Sequence, residues 1–423
     1  MTQADPHAPR RILIVENDYG NVGGSARAIA RLVEHLDRDR YEIFVTFAHG
    51  SPSPMVGQIE ALGAGIVRLG RRPMRQRRAR RRGLSGFVAA LVQVVQRWLT
   101  QDLPLVLELA RVIRAHDFAL VHANNNVVAN RFVIWAAMLC RTPVVCHERF
   151  VVRMRPIDRL GLRYVSRVLC ISRFVADDLA RQSRPRSLQI VYDGVDVPER
   201  LPDLPRIGDD TKIAMLGRIV RWKGQHVLLG AIPLVLERFS GTRFEFVGAA
   251  SDPGGVAYQD ELRRLAEDLD VSDSVVFRGH VEDIDRRMRE EYQIIVHCSV
   301  TPEPFGLVVA EGMAAGRPVV ASGEGGTAEI IVHGESGLLF EPGNSVDLAD
   351  KLISILEDPD YASRLGAAGW DRVSARFDAR RTSREVAAVW EAVLGAPSSS
   401  ENGPSGADDE PSPRPIDAPA ATP

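Results

Sequence analysis

Lysine is nearly missing from this chain. Of 53 basic side chains only Lys212, Lys223 and Lys351 are lysines, and the rest are arginines. Cysteine is scarce as well. Cys140, Cys146, Cys170 and Cys298 are scattered without C-x-x-C spacing. That argues against a disulfide scaffold or a zinc site and fits reduced thiols in a cytoplasmic protein. No run approaches the roughly 20 apolar residues that a membrane span needs. The polar stretch Met1 to Arg10, followed by the short apolar Ile12 to Val15, is not expected to be a secretory leader.

What is present describes a globular protein of more than one core. A chain of 423 residues, 45% hydrophobic and 26% charged, is too long for a single ordinary domain. The net charge of −2 conceals an asymmetry: residues 1–200 carry 31 arginines against 18 acidic residues, and residues 201–423 carry 22 basic against 37 acidic residues. The basic half is suited to an anionic surface or acceptor. Residues 396–423, rich in Pro, Ser, Ala and Asp, are expected to be disordered.

Apolar runs alternate with helical stretches along the chain. In residues 1–205 the runs are Ile12 to Val15, Ile43 to Phe47, Ile66 to Leu69, Ala119 to His122, Val144 to His147, Arg167 to Ile171 and Leu188 to Val191. A Pro-rich connector, Val197 to Gly208, leads to a second series: Ile213 to Leu216, Arg243 to Val247, Val275 to Phe277, Ile294 to Cys298 and Pro318 to Ala321. The alternation predicts two α/β domains with doubly wound parallel sheets, over 1–205 and 206–378, facing a cleft. A last helix, Arg380 to Leu394, falls within 379–395.

Candidate chemistry concentrates where strands end. Leu216-Gly217-Arg218 closes a strand and Lys223-Gly224 opens the next helix, so a guanidinium fork and a mobile ammonium flank one loop, suited to a diphosphate. Gly23-Gly24 precedes the helix near Ser25 to Leu36 and would let backbone N–H groups approach an anion. Glu303 and Glu311 bracket seven residues, with a helix predicted over Phe305 to Ala315. Glu311 sits among Val308, Val309, Ala310 and Met313, where an unpaired charge is costly. Its two acceptor oxygens suit a vicinal diol such as a ribose.

These elements resemble the family 4 retaining glycosyltransferases of GT-B fold. The matching residues, in order, include Gly23-Gly24, Cys170-Ile171-Ser172, Val191 to Asp196, Gly217-Arg218 with Lys223-Gly224, Glu303 with Glu311, Gly325-Gly326-Thr327-Ala328-Glu329 and Gly334 to Phe340. The resemblance implies that Arg218 and Lys223 hold a donor diphosphate, that Glu311 holds the nucleotide ribose, and that Glu303 contacts the donor sugar. It adds Gly23, Gly24, Phe305, Gly306 and Leu307 to the donor site, and it implies that the last helix crosses back to the first domain. The donor would be a UDP-sugar or GDP-sugar, with no other cofactor and no metal, because two cations can stabilise the leaving diphosphate.

The first domain departs from the family pattern. Relatives often carry a histidine where this chain has Asn124, which orients a hydroxyl but is no base near neutral pH. His122 or His147 would serve instead, or no side-chain base is required. Asn124, His147 and Glu148 are the acceptor-side candidates. The run Arg71 to Arg82 packs eight arginines into twelve residues beside apolar helical stretches. It suits anionic lipid headgroups and a sugar or lipid-linked acceptor at the inner face of a membrane. A nucleic-acid reading is poorer, since no aromatic residue is interleaved for stacking. An epimerase of the same fold, or a non-catalytic sugar-nucleotide binder, are the competing readings.

Overall fold

Ile12, Leu13, Ile14 and Val15 are fully buried, so both faces of their strand are covered. Unbroken apolar strands of this kind belong in parallel sheets with helices on either side. The computed structural model describes residues 8–17, 24–47, 55–70, 100, 102–204, 206–208 and 210–395. Gly23, the arginine-rich segment 71–82 and the tail 396–423 lie outside the described residues.

Two sheets form, and every strand pair in both is parallel. The first contains Arg10–Glu16 (β1), Tyr41–Phe47 (β2), Gly65–Val67 (β3), Leu120–Ala123 (β4), Val144–Glu148 (β5), Arg167–Cys170 (β6) and Leu188–Ile190 (β7). The second contains Lys212–Leu216 (β8), Arg243–Val247 (β9), Val275–Gly279 (β10), Ile294–His297 (β11), Val319–Ser322 (β12) and Leu338–Phe340 (β13). Their orders are β3-β2-β1-β4-β5-β6-β7 and β10-β9-β8-β11-β12-β13. The chain direction of winding reverses between β1 and β4 in one sheet and between β8 and β11 in the other. In open parallel sheets a ligand crevice lies beyond the carboxyl ends of the strands at that reversal. Glu16 and Asn124 stand there in the first sheet, and Gly217 and His297 in the second.

After the second sheet the chain returns. Val195 N–H donates to Phe377 O at 2.8 Å and Ala379 N–H to Val195 O at 2.9 Å. At this crossing a Cβ on Gly194 would lie 2.4 Å from the Ala379 Cα, so a side chain there would force the segments apart. Helix Ala379–Gly395 then packs on the first sheet's side and buries Trp390 completely. The Trp390 ring meets Tyr41 edge-on at 5.4 Å between centroids, and its Nε1–H donates to His122 Nδ1 at 3.1 Å.

The two halves also meet at the cleft. Glu329 accepts from the Arg173 and Phe174 N–H groups at 2.8 Å each, capping helix Arg173–Gln182, and from Tyr192 Oη at 3.0 Å. Ser172 Oγ donates to Pro304 O at 2.6 Å.

Candidate active site

Lys223 ends a short turn, Arg221–Lys223, that follows β8, and its stem runs beside Gly217. The Nζ lies 4.5 Å from the Trp222 ring centroid and 2.8 Å from Glu303 Oε2. Glu303 Oε2 also accepts from Ser299 Oγ at 2.8 Å and faces His297 Nε2 at 3.2 Å. Burial alone would raise the Glu303 carboxyl; the Lys223 ammonium and the His297 contact reverse this and hold it well below the usual carboxylate range. Burial, together with Lys223, lowers the His297 ring against the pull of Glu303, so it stays neutral and donates through Nε2–H. Arg218 is exposed on the neighbouring loop, with no side-chain partner among the described residues.

The loop carrying Glu303 is pinned by its backbone. Gly326 N–H donates to Glu303 O at 2.7 Å, and a Cβ on Gly325 would lie 2.3 Å from that same oxygen. Phe305 is buried against Tyr192 and Phe377. The helix spans Leu307–Ala314, starting two residues later than the pattern predicts, because Gly306 takes a φ of 106° that a helix cannot contain. Gly24 reaches across the cleft: a Cβ there would come within 2.9 Å of Leu307 Cδ1. The structure thus brings Gly24, Leu307, Lys223 and Glu303 to one cleft.

Glu311 lies on the buried face of the same helix, and its partners come from the other half of the chain. Arg31 Nη2 donates to Glu311 Oε1 at 2.9 Å, and Arg27 Nη2 lies 3.1 Å from the same oxygen. Arg31 also donates through Nε to Asp196 Oδ2 at 2.9 Å. Its guanidinium is held still further toward the charged form by Glu311 and Asp196, which outweigh the lowering effect of burial.

The first-domain candidates are placed differently from the expectation. His122 is 1% exposed, and its Nδ1 is occupied by Trp390. Burial, aided by Arg149, lowers it to about 3. A ring sealed under the returning helix cannot exchange a proton with a ligand in the cleft, so His122 leaves the catalytic set. His147 is also enclosed, 3.5 Å from Arg149, and burial lowers it well below the ordinary value. Asn124 is no hydroxyl-orienting group on a free surface: its Oδ1 accepts from Arg149 Nε at 2.7 Å and its Nδ2 donates to Glu16. Arg149 continues to Asp193, so a buried chain of polar groups joins β1, β4, β5 and the Asp193 loop. Glu148 accepts from Val127 N–H at 2.7 Å, and burial pushes its carboxyl up to about 7 against that bond.

The sealed histidine carries a pH prediction. His122 protonates in the unfolded chain below about pH 6.5 but stays neutral when folded. The unfolded state then binds more protons, so this group costs stability as pH falls from about 6.5 towards 3. Glu148 works the other way, because its folded pKa is raised. Comparing wild type with His122→Gln isolates the first effect. Between pH 7.5 and 5.5 the wild type is expected to lose about 1.4 kcal/mol more than the variant in urea unfolding. Equal losses would mean that the ring is accessible to protons.

Sequence reasoning passed over His297, Ser299, Arg27 and Arg31. His297 and Ser299 read as an ordinary strand end. The arginines carried a usable signal, since they stand four residues apart on the otherwise apolar face of the helix that follows the glycine pair. Among the described residues, Glu34, His35 and Asp196 form an exposed group with ligand-type atoms within 4.8 Å of one another, but Asp196 is already bonded to Arg31.

Similar proteins share this arrangement of the chain. The profile of the Glycosyl transferases group 1 family matches residues 197–372, and that of Glycosyltransferase Family 4 matches residues 22–199. A phosphatidyl-myo-inositol mannosyltransferase of Mycobacterium leprae is 31% identical over 323 residues, 73% of this chain and 78% of the relative. A GDP-mannose-dependent alpha-(1-6)-phosphatidylinositol monomannoside mannosyltransferase of Mycobacterium tuberculosis is 31% identical over 246 residues, 53% of this chain; the match spans 62% of that relative's length. Among solved structures, Anabaena HepE in complex with UDP and glucose superposes with a TM-score of 0.72 at 24% identity, over 89% of this chain and 98% of that one. Sucrose-phosphate synthase from Thermosynechococcus elongatus gives 0.69 at 19% identity, over 91% and 99%. At such identities the structural likeness speaks for the fold.

Proposed function

The chain belongs to the family 4, group 1 glycosyltransferases, and from that premise we propose that it moves a sugar from a nucleoside diphosphate sugar to a hydroxyl acceptor with retention of configuration. One observation carries the reading. Glu303 and Glu311 are each gripped by cations through one oxygen, while the other oxygen has no partner among the described residues and is not sealed from solvent. A carboxylate oriented through one oxygen and half free is an acceptor for sugar hydroxyls. Glu303 takes the donor sugar and Glu311 the ribose.

Breaking the C1–O bond puts negative charge on the diphosphate and positive charge on the sugar. Lys223 and Arg218, with the N–H groups at the start of helix Leu307–Ala314, would stabilise the developing anion. These cations make a metal ion unnecessary for leaving-group departure. The enclosed state of His122 and His147 favours a route in which the departing phosphate takes the acceptor's proton on the same face. The relatives' phosphatidylinositol-type acceptors and the arginine-dense run Arg71 to Arg82 together favour a lipid-linked acceptor in envelope glycoconjugate synthesis, met at the inner face of a membrane. No helix among the described residues is long and apolar enough to cross a membrane.

Purified protein offered a panel of UDP- and GDP-sugars is expected to release nucleoside diphosphate from one of them, equally with and without EDTA. Reversible isomerisation without nucleotide release would identify an epimerase instead, and thermal stabilisation without turnover a binding protein. Loss of activity in chelator would overturn the metal-free mechanism. In the same assay with phosphatidylglycerol vesicles, deleting 71–82 should release the protein from the lipid and leave donor hydrolysis intact. Undiminished vesicle binding would end the membrane reading.

A further inference from the structure

Among the described residues, Arg31 is the best-buried charged bridge between the two halves. Its side chain is 8% exposed, that of Glu311 5%, and Asp196 closes the other flank. A guanidinium in such a place is costly unless its donors are matched. Here Nη2 meets Glu311, Nε meets Asp196, and Nη1 donates to Gly194 O at 3.4 Å. Arg27, one helical turn earlier and half-buried, adds a second cation to the same Glu311 oxygen and lies 3.7 Å from Asp285. Both arginines meet Glu311 through Oε1 alone. Glu311 Oε2 is left without a partner among the described residues and is not sealed.

We propose that Arg31, assisted by Arg27, is a positioning residue for nucleotide recognition: it fixes the Glu311 carboxylate so that Oε2 faces the ribose, and the ribose subsite is therefore completed by the first domain. The inference rests on the reading of Glu311 as the ribose ligand. Three consequences separate it from simple structural support. A carboxylate locked in one rotamer discriminates a diol from a single hydroxyl better than one free to turn, because less ordering is needed on binding. The discrimination belongs to the closed arrangement, since the two arginines reach Glu311 only when the halves meet. Pyrophosphate, which has no ribose, does not use the device.

The test is the ratio of dissociation constants for a 2′-deoxynucleoside diphosphate and its ribonucleotide, measured by calorimetry with UDP, GDP and their deoxy forms, beside pyrophosphate as a control. Wild type is expected to prefer the ribonucleotide by about tenfold, the scale of one charge-assisted hydrogen bond. In Arg31→Met the ratio should fall towards one with pyrophosphate affinity kept, and Arg31→Lys should restore part of it. If wild type itself shows no preference, the ribose reading of Glu311 fails. If wild type discriminates and Arg31→Met does so equally, the positioning role is overturned. Should Arg31→Met fail to fold, Arg27→Met decides in its place: its lesser burial makes it the milder change, and an unaltered ratio there defeats the proposal.

Discussion

Lys223→Ala is expected to lower turnover at saturating donor by about 10²–10³-fold, the range seen when one preorganised donor to a developing anion is removed. Two losses combine. The leaving diphosphate loses a cation, and Glu303 loses the ammonium 2.8 Å from its Oε2. With the ammonium gone, burial is opposed only by the His297 and Ser299 contacts, so the carboxyl shifts upward and is less firmly held as an acceptor for a sugar hydroxyl. Lys223→Met preserves the stem beside Gly217 and Trp222 and should be as damaging, which separates charge from packing. Rates within threefold of wild type in both variants would remove Lys223 from the mechanism.

The second large effect concerns stability. Trp390→Ala empties a fully buried indole site among Ile12, Ile14, Tyr41 and Val386. Large-to-small changes of this kind cost about 3–5 kcal/mol. The substitution also leaves His122 Nδ1 buried without a donor, a further penalty of roughly 1–3 kcal/mol. Trp390→Phe keeps most of the packing and should show mainly the lost hydrogen bond. Urea unfolding followed by a first-domain probe is the measurement. A loss below about 1 kcal/mol for Trp390→Ala would mean that the helix Ala379–Gly395 is a passenger on that surface.

The fold was readable because buried parallel strands announce themselves as continuous apolar runs. Ile12 to Val15 and Ile294 to Val296 need no partner to be recognised. The three-residue β13, Leu338–Phe340, was not read as a strand. Lys223 and Glu303 were readable as candidates because each sits just past an element end at a winding reversal. Arg27 and Arg31 were legible only as an anomaly, two arginines on an apolar helix face, and their role stayed hidden because the partner of Arg31 lies 280 positions away. His122 misled for a related reason. A histidine at a strand end faces the cleft only if nothing covers it, and the cover is supplied by the chain's own return 268 positions later.

That return bears on how the protein is made. Translation delivers residues 10–190 first, yet the face of their sheet that carries Ile12, Ile14 and Tyr41 is only partly covered, by helices Gly24–Glu34 and Met55–Ala61, until Trp390 has left the ribosome. Domains synthesised early usually fold while the rest is still emerging. This one must wait with Ile12, Ile14 and Tyr41 incompletely covered, so nascent chains stalled before residue 379 present an apolar surface that chaperones or aggregation would claim.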